Sequence, residues 1–346
     1  MINDDSLQTI LEDVLSEYTG VSEDLPDSEI NEEISEIASQ SAVVFLERQK
    51  SRFPAKLESS KEIEQEFESA VLRTWNKPLD LLDLLFYVCL EVSSEFIMEN
   101  SEKSSKHNHV QIALAKQQAN ACLVFNEIIH LLKSGFPNGA HLHWKMLHEI
   151  ACVSYFISKH GEDMAKRFLD YEVVESYYQA QAILEHQQKM DCEMLSESDF
   201  KAIKKEFGKV KKHYGADFVK KINYPYGWVP RTVLKTRSLK EIEKAVKLDT
   251  LRPYYDMASY NVYGGPKGLM FTLGVMKKGK GMVVPVGPSN FGLADPGKSA
   301  AISLGQVMAC VLLVESNVKK LVIVEALRVL VDEICDTFCE IQSEFS

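Results

Sequence analysis

The sequence predicts a mainly α fold, a multi-helix bundle carrying one small β-hairpin near residues 269–286. Three observations carry that prediction. Apolar residues recur at helical spacing, as in Leu7, Ile10, Leu11, Val14 and Leu15, and such spacing draws one apolar stripe along a helix. The periodic runs end at stop signals, among them Gly135 with Pro137 just beyond it, and Gly161. Only LMFTLGVMKKGKGMVVPVGP, 269–288, sets two apolar runs either side of a glycine turn, which is the pattern of a hairpin. Pro285 would keep its second strand at an edge.

In chain order, an amphipathic helix is expected over 5–18 and, past the linker TGVSEDLPDS, a second over about 27–50. Ser59 with Glu62 fits a capping box for a third helix ending near Trp75, and Pro78 suits the first turn of a fourth. Together these make an N-terminal helical region, 1–98, with an acidic leading segment. The run ENSEKSSKHNH, 99–109, lacks any apolar side chain and marks the boundary. A helical core domain, 110–346, follows. Its helices are expected over 110–134, from an Asn138 cap to Gly161, over about 162–190 and over about 198–213. Ser238 and Glu241 open another with a capping box, and one over 252–263 must stop at Gly264, Gly265 and Pro266. Two apolar helices, the first led by Asp295 and Pro296, complete the chain.

Composition narrows the class. Of 346 residues, 45% are hydrophobic and 26% charged, the balance of a chain that can bury a core rather than of a disordered one. The most apolar runs, 79–92 and 304–318, are shorter than a membrane span and broken by Asp, Glu or Gln, so no membrane is expected. The first residues lack the basic segment of a signal or transit peptide, and the expected location is the cytoplasm. Seven cysteines are scattered through helical pattern and read as reduced core residues. Cys335 and Cys339 have no further Cys or His nearby to complete a zinc set, and neither a metal nor a cofactor is expected.

The net charge of −11 is unevenly spread. The first 47 residues hold thirteen acidic residues and no Lys or Arg, whereas 201–247 hold fourteen basic and four acidic ones. The acidic segment offers a surface for a protein partner or for the basic segment itself. The basic segment is either a solvated helix face or a contact for nucleic acid.

Three stretches concentrate polar residues. In HLHWKMLHE, 141–149, helical spacing puts His141, Lys145, His148 and Cys152 on one side, with Glu149 beside them. A histidine next to a carboxylate can act as an acid-base unit, or can simply be a packed core histidine. In RPYYDMASYNVYGGPKG, 252–268, Arg252 and Asp256 fit an ion pair, and Tyr255, Ser259, Asn261 and Tyr263 either line a polar pocket or form a helix seam. In VGPSNFGLADPGKS, 286–299, GLADPGKS matches the phosphate-loop spacing. Asp295 and Pro296 within it repel phosphate and delete an amide donor, and no strand-helix array surrounds it.

These three stretches, as GFPNGAHLHWKMLHEIACVSYFISKHG, LRPYYDMASYNVYGGPKG and VGPSNFGLADPGKSAAISL, resemble a family of bacterial proteins of unknown function, number 5677, over roughly 110–320. By that resemblance Trp144, Leu147, Glu149, Ala258, Ser259, Asn261, Asn290 and Asp295 fall on matching positions. Lys145 stands where an arginine is usual and Tyr263 where a histidine is usual. The resemblance implies an all-helical fold with a small insertion, and no activity.

The residues at which chemistry is expected are His148, Glu149, Arg252, Ser259, Asn261 and Tyr263, with Lys145, Tyr255, Asn290 and Asp295 as ligand contacts. Whether the protein is an enzyme is left open. Two functions compete: an interaction or scaffold protein with a polar pocket, and a ribonuclease-like, nucleic-acid-acting effector of bacterial stress or phage defence. Helical ribonucleases of the HEPN type pair an Arg with a His four to six residues on, and Arg252 has Tyr263 downstream instead.

Overall fold

A computed structural model describes residue 12 and residues 32–102, 108–187, 189, 195–260, 262, 265–270, 273–274 and 286–344. The chain divides into two units, Met1–Ser69 and Ala70–Ser346. Most of the acidic leading segment, and with it all of the helix expected over 5–18 except Glu12, lies outside the described residues.

In the first unit, residues 32–69 form the leading part of helix α1 (Glu32–Glu102), with Val43, Phe53 and Ile63 exposed. Pro54 lies inside this helix, as do Ser59 and Glu62, so the capping box read from sequence is helix interior. Pro78 is also internal. A proline there removes one backbone hydrogen bond. Around Pro78 that loss is offset by packing, because Trp75, Leu79, Leu82 and Leu85 are fully buried.

The second unit is a helical bundle. It comprises the rest of α1 with α2 (His109–Lys133), α3 (Pro137–His160), α4 (Glu162–His186), α5 (Glu197–Tyr214), α6 (Leu239–Val246), α7 (Arg252–Ser259), α8 (Pro266–Met270), α9 (Ala294–Leu313) and α10 (Val318–Glu344). Helix α3 is the hub, packing against α2, α4, α6, α7 and α9, while α9 also packs on α2 and α10. By length and composition α9 could cross a membrane, yet 67% of its most apolar window is buried within the protein, as befits a core helix. The Trp144 indole N–H donates to Ser303 Oγ at 3.0 Å and ties α3 to α9 inside that core.

Local signals set most helix ends. Asn108 caps α2 by accepting from the Gln111 amide at 3.2 Å, and the Glu162 carboxylate accepts from the His109 amide at 2.9 Å, joining the starts of α2 and α4. Gly135 and Gly161 adopt φ of 75° and 76°, which only glycine takes freely, and each sits where a helix stops. Ser238 caps α6 through the Glu241 amide. Asn138 does not cap α3: Pro137 takes the first turn, and the Asn138 side chain instead accepts from the Leu273 amide at 2.9 Å.

The β-hairpin expected near 269–286 is not found. Leu269 and Met270 close α8, whose start is favoured by Pro266, and Leu273 and Gly274 form a turn. The remainder of that stretch lies outside the described residues, among which there is no strand.

Candidate functional site

Helix α3 turns one polar face toward α6 and α7. Its Trp144, Ala151 and Cys152, three or four residues from His148, are buried, so a side chain sharing that inner surface is buried too. His148 is fully buried, with Nε2 3.1 Å from Glu243 Oε1 and 3.5 Å from Cys152 Sγ. Glu243 comes from α6, where it follows Leu239 and Ile242 onto the inward face of a short amphipathic helix. Its other oxygen, Oε2, accepts from Arg252 Nε at 2.7 Å and from a terminal guanidinium nitrogen as well.

A buried carboxylate is costly unless an opposite charge and hydrogen bonds occupy it. Here both of its oxygens are engaged. Burial works against the Arg252 charge, but its bond to Glu243, with Asp256 3.5 Å away, raises the guanidinium above its ordinary range. Tyr255, one turn into α7, lies 5.9 Å ring to ring from His148 and is faced by two cations, Lys145 Nζ at 4.7 Å and Arg252 Cζ at 4.6 Å. Burial pulls the Lys145 ammonium down, and Arg252 adds to that against the opposing pull of Glu149 and Asp256.

About 100° round α3 from His148, Glu149 opens onto a cleft of about 680 Å³ bounded by α2, α3, α4 and the segment 225–228. Tyr226 donates its hydroxyl to Glu149 Oε1. Burial, and then the Glu149 charge, push the Tyr226 phenol well above its usual range, so it stays a donor. Burial, Glu243 and Glu149 likewise push the Cys152 thiol far up. Glu149 directly follows His148 on α3, so the cleft wall and the buried cluster adjoin one another. Further along the cleft, Glu172 and Glu175 lie on one side of α4, with Lys116 on α2 and the rings of Phe168, Tyr171 and Trp228 in the walls.

Of the residues expected from sequence, Lys145, His148, Glu149, Arg252 and Tyr255 come together here. Ser259 donates to the Tyr255 carbonyl at 2.9 Å and so serves its own helix. Asn290 lies elsewhere: its side-chain and backbone oxygens accept from Trp75 Nε1 at 3.0 and 3.1 Å, and its amide donates to Thr74 Oγ1 at 3.1 Å. Asp295 pairs with Lys298 at 3.4 Å. Asn261 and Tyr263 lie outside the described residues. In GLADPGKS, a side chain at Gly297 would overlap the Phe338 ring, so this glycine answers to packing between α9 and α10.

Sequence reasoning passed over Glu243 and Tyr226, and it set Cys152 aside. Glu243 did leave a signal, as an acid four residues after Leu239 on an apolar face. Tyr226 left none.

All the residues of this cluster and cleft fall between 112 and 256. Residues 111–280 match a family of unknown function, DUF5677. The matched segment therefore holds the whole candidate site. It ends before Asn290 and Asp295, and the resemblance read further, to about 320, is not part of the match. No curated protein and no solved structure matches the chain.

Proposed function

We propose that this protein is a binding module whose cleft takes a small organic cation, an amine carried on an apolar body. The observation that supports this is the charge balance of the cleft, three carboxylates (Glu149, Glu172, Glu175) to one ammonium (Lys116), set among aromatic walls. A cation gains from carboxylates and from ring faces, whereas an anion would meet repulsion there. Partial burial, and then Glu172, push the Glu175 carboxyl up. An ammonium between the two relieves that repulsion. The Tyr226 hydrogen bond holds Glu149 in place, and the Arg252–Glu243 pair fixes α7 against α6 behind it.

Calorimetric titration with phenethylamine, and with phenylacetate as a control of similar shape, tests this reading. Saturable binding of the amine, weakened at least tenfold in the double variant Glu149→Gln, Glu175→Gln, is the expected result. Tighter binding of phenylacetate, or amine binding indifferent to both substitutions, overturns it.

A second reading, nucleic-acid contact, draws support from α5. This helix buries no residue and exposes Lys204, Lys205, Lys211 and Lys212. Two neighbours are already paired, Lys201 with Glu197 at 3.5 Å and Lys209 with Glu206 at 2.7 Å, which weakens the field available to a phosphate backbone. Binding of single-stranded RNA that falls steeply with salt and is lost on charge reversal of those four lysines would favour this reading.

A further inference from the structure

We propose that His148, Cys152 and Glu243 form a transition-metal site of the zinc class, with three protein ligands and one coordination position for water or another small ligand. The three ligand atoms lie within 4.8 Å of one another, and all three residues are buried. Nitrogen, sulfur and carboxylate oxygen are the donors that zinc takes in proteins, at about 2.0, 2.3 and 2.0 Å. A tetrahedron with those bond lengths separates nitrogen from sulfur by about 3.5 Å and nitrogen from oxygen by about 3.3 Å. The protein sets these separations at 3.5 and 3.1 Å.

Hydrogen bonding alone explains less. A neutral imidazole donates through one N–H, and if Nε2 donates to Glu243 it has nothing to offer the Cys152 sulfur on the same side. A metal ion satisfies both contacts at once. Nδ1 makes no hydrogen bond among the described residues, so the proton that ligation through Nε2 places there has no acceptor among them, a cost that the metal bonds must offset. Arg252 engages only Oε2 of Glu243, leaving Oε1 toward His148. This is the work of an outer residue that orients a ligating carboxylate. Helix α3 supplies two ligands four residues apart on one face, and α6 supplies the third.

The step balances. The divalent ion binds the imidazole of His148 through the lone pair of Nε2, with the ring proton on Nδ1. The Cys152 thiol loses its proton to solvent, and thiolate and carboxylate together neutralise the ion. One proton is released per metal bound. No oxidation or reduction takes place.

The inference stands independently of the amine reading of the cleft, and its test uses the full chain and metal ions alone. The protein, stripped with chelator and titrated with Co(II), is expected to bind one ion. It should show the intense visible bands of tetrahedral cobalt and a near-ultraviolet sulfur-to-cobalt charge-transfer band, and Zn(II) should displace the cobalt. Cys152→Ser removes the charge-transfer band, and Glu243→Gln weakens binding at least tenfold. Circular dichroism reports whether each variant is folded. Wild-type protein that gives no sulfur-to-cobalt band overturns the proposal whatever the variants do. So does a band that survives in folded Cys152→Ser and disappears on substitution of Cys335 or Cys339.

Discussion

His148 and Glu243, 95 residues apart in the chain, meet in the core with Nε2 and Oε1 at 3.1 Å, and neither side chain reaches solvent. The contact joins the hub helix α3 to the short helix α6, and through Arg252 it also holds the start of α7. Three helices of the segment that matches DUF5677 are thus fixed to one another by a buried carboxylate.

Arg252→Ala leaves the Glu243 carboxylate buried without its counter-charge. Breaking one side of such a pair costs about 3–5 kcal/mol. Equilibrium unfolding in urea at neutral pH is expected to show a loss of that order, with Arg252→Lys recovering part of it, since lysine keeps the charge and loses the planar fork. A loss under about 1 kcal/mol, the range of an exposed pair, would mean the guanidinium is not part of the core.

Acid should weaken the fold through His141. This imidazole is buried and stacked on Trp144 at 5.3 Å, and burial pushes it down to about 4, with Asp295 and the Tyr254 backbone pulling only part of the way back. An unfolded histidine titrates near pH 6.5. Between the two values the unfolded chain takes a proton that the folded one refuses, so the contribution is complete above about pH 6.5, is lost as pH falls toward 4, and levels off below that. The span is worth about 3 kcal/mol. Urea unfolding across this range should show the slope in the wild type and a shallower one in His141→Gln.

Asn290→Ala removes the amide that bridges Trp75 and Thr74. The backbone oxygen of residue 290 still accepts from the indole, so the loss should be near 1 kcal/mol. Amine binding in the cleft should not change. Altered binding with unchanged stability would instead place Asn290 at the ligand.

At Gly297→Ala the new methyl meets the Phe338 ring. Overpacking of this kind costs about 1–3 kcal/mol, against a gain of about 1 kcal/mol in helix propensity. Trimming the ring in Phe338→Leu should rescue Gly297→Ala, giving a favourable coupling in a double-mutant cycle by thermal unfolding. Strict additivity would show that the ring yields freely.

What the sequence determined by itself was local. Periodic apolar residues specify helices, and Gly135, Gly161 and the Ser238 cap end or begin them, because those effects act within a turn of the residue that causes them. The shared face of Lys145, His148 and Cys152 was legible for the same reason, as the residues stand three and four apart. Tertiary packing decided the rest. It carried α1 through Pro78 where Trp75 and Leu79 are buried, gave Asn138 a distant amide in place of a cap, and sent Asn290 to Trp75. It also brought Glu243 and Tyr226 to α3, since an i, i+4 pattern says which face a side chain occupies but not which helix, dozens of residues away, will cover it.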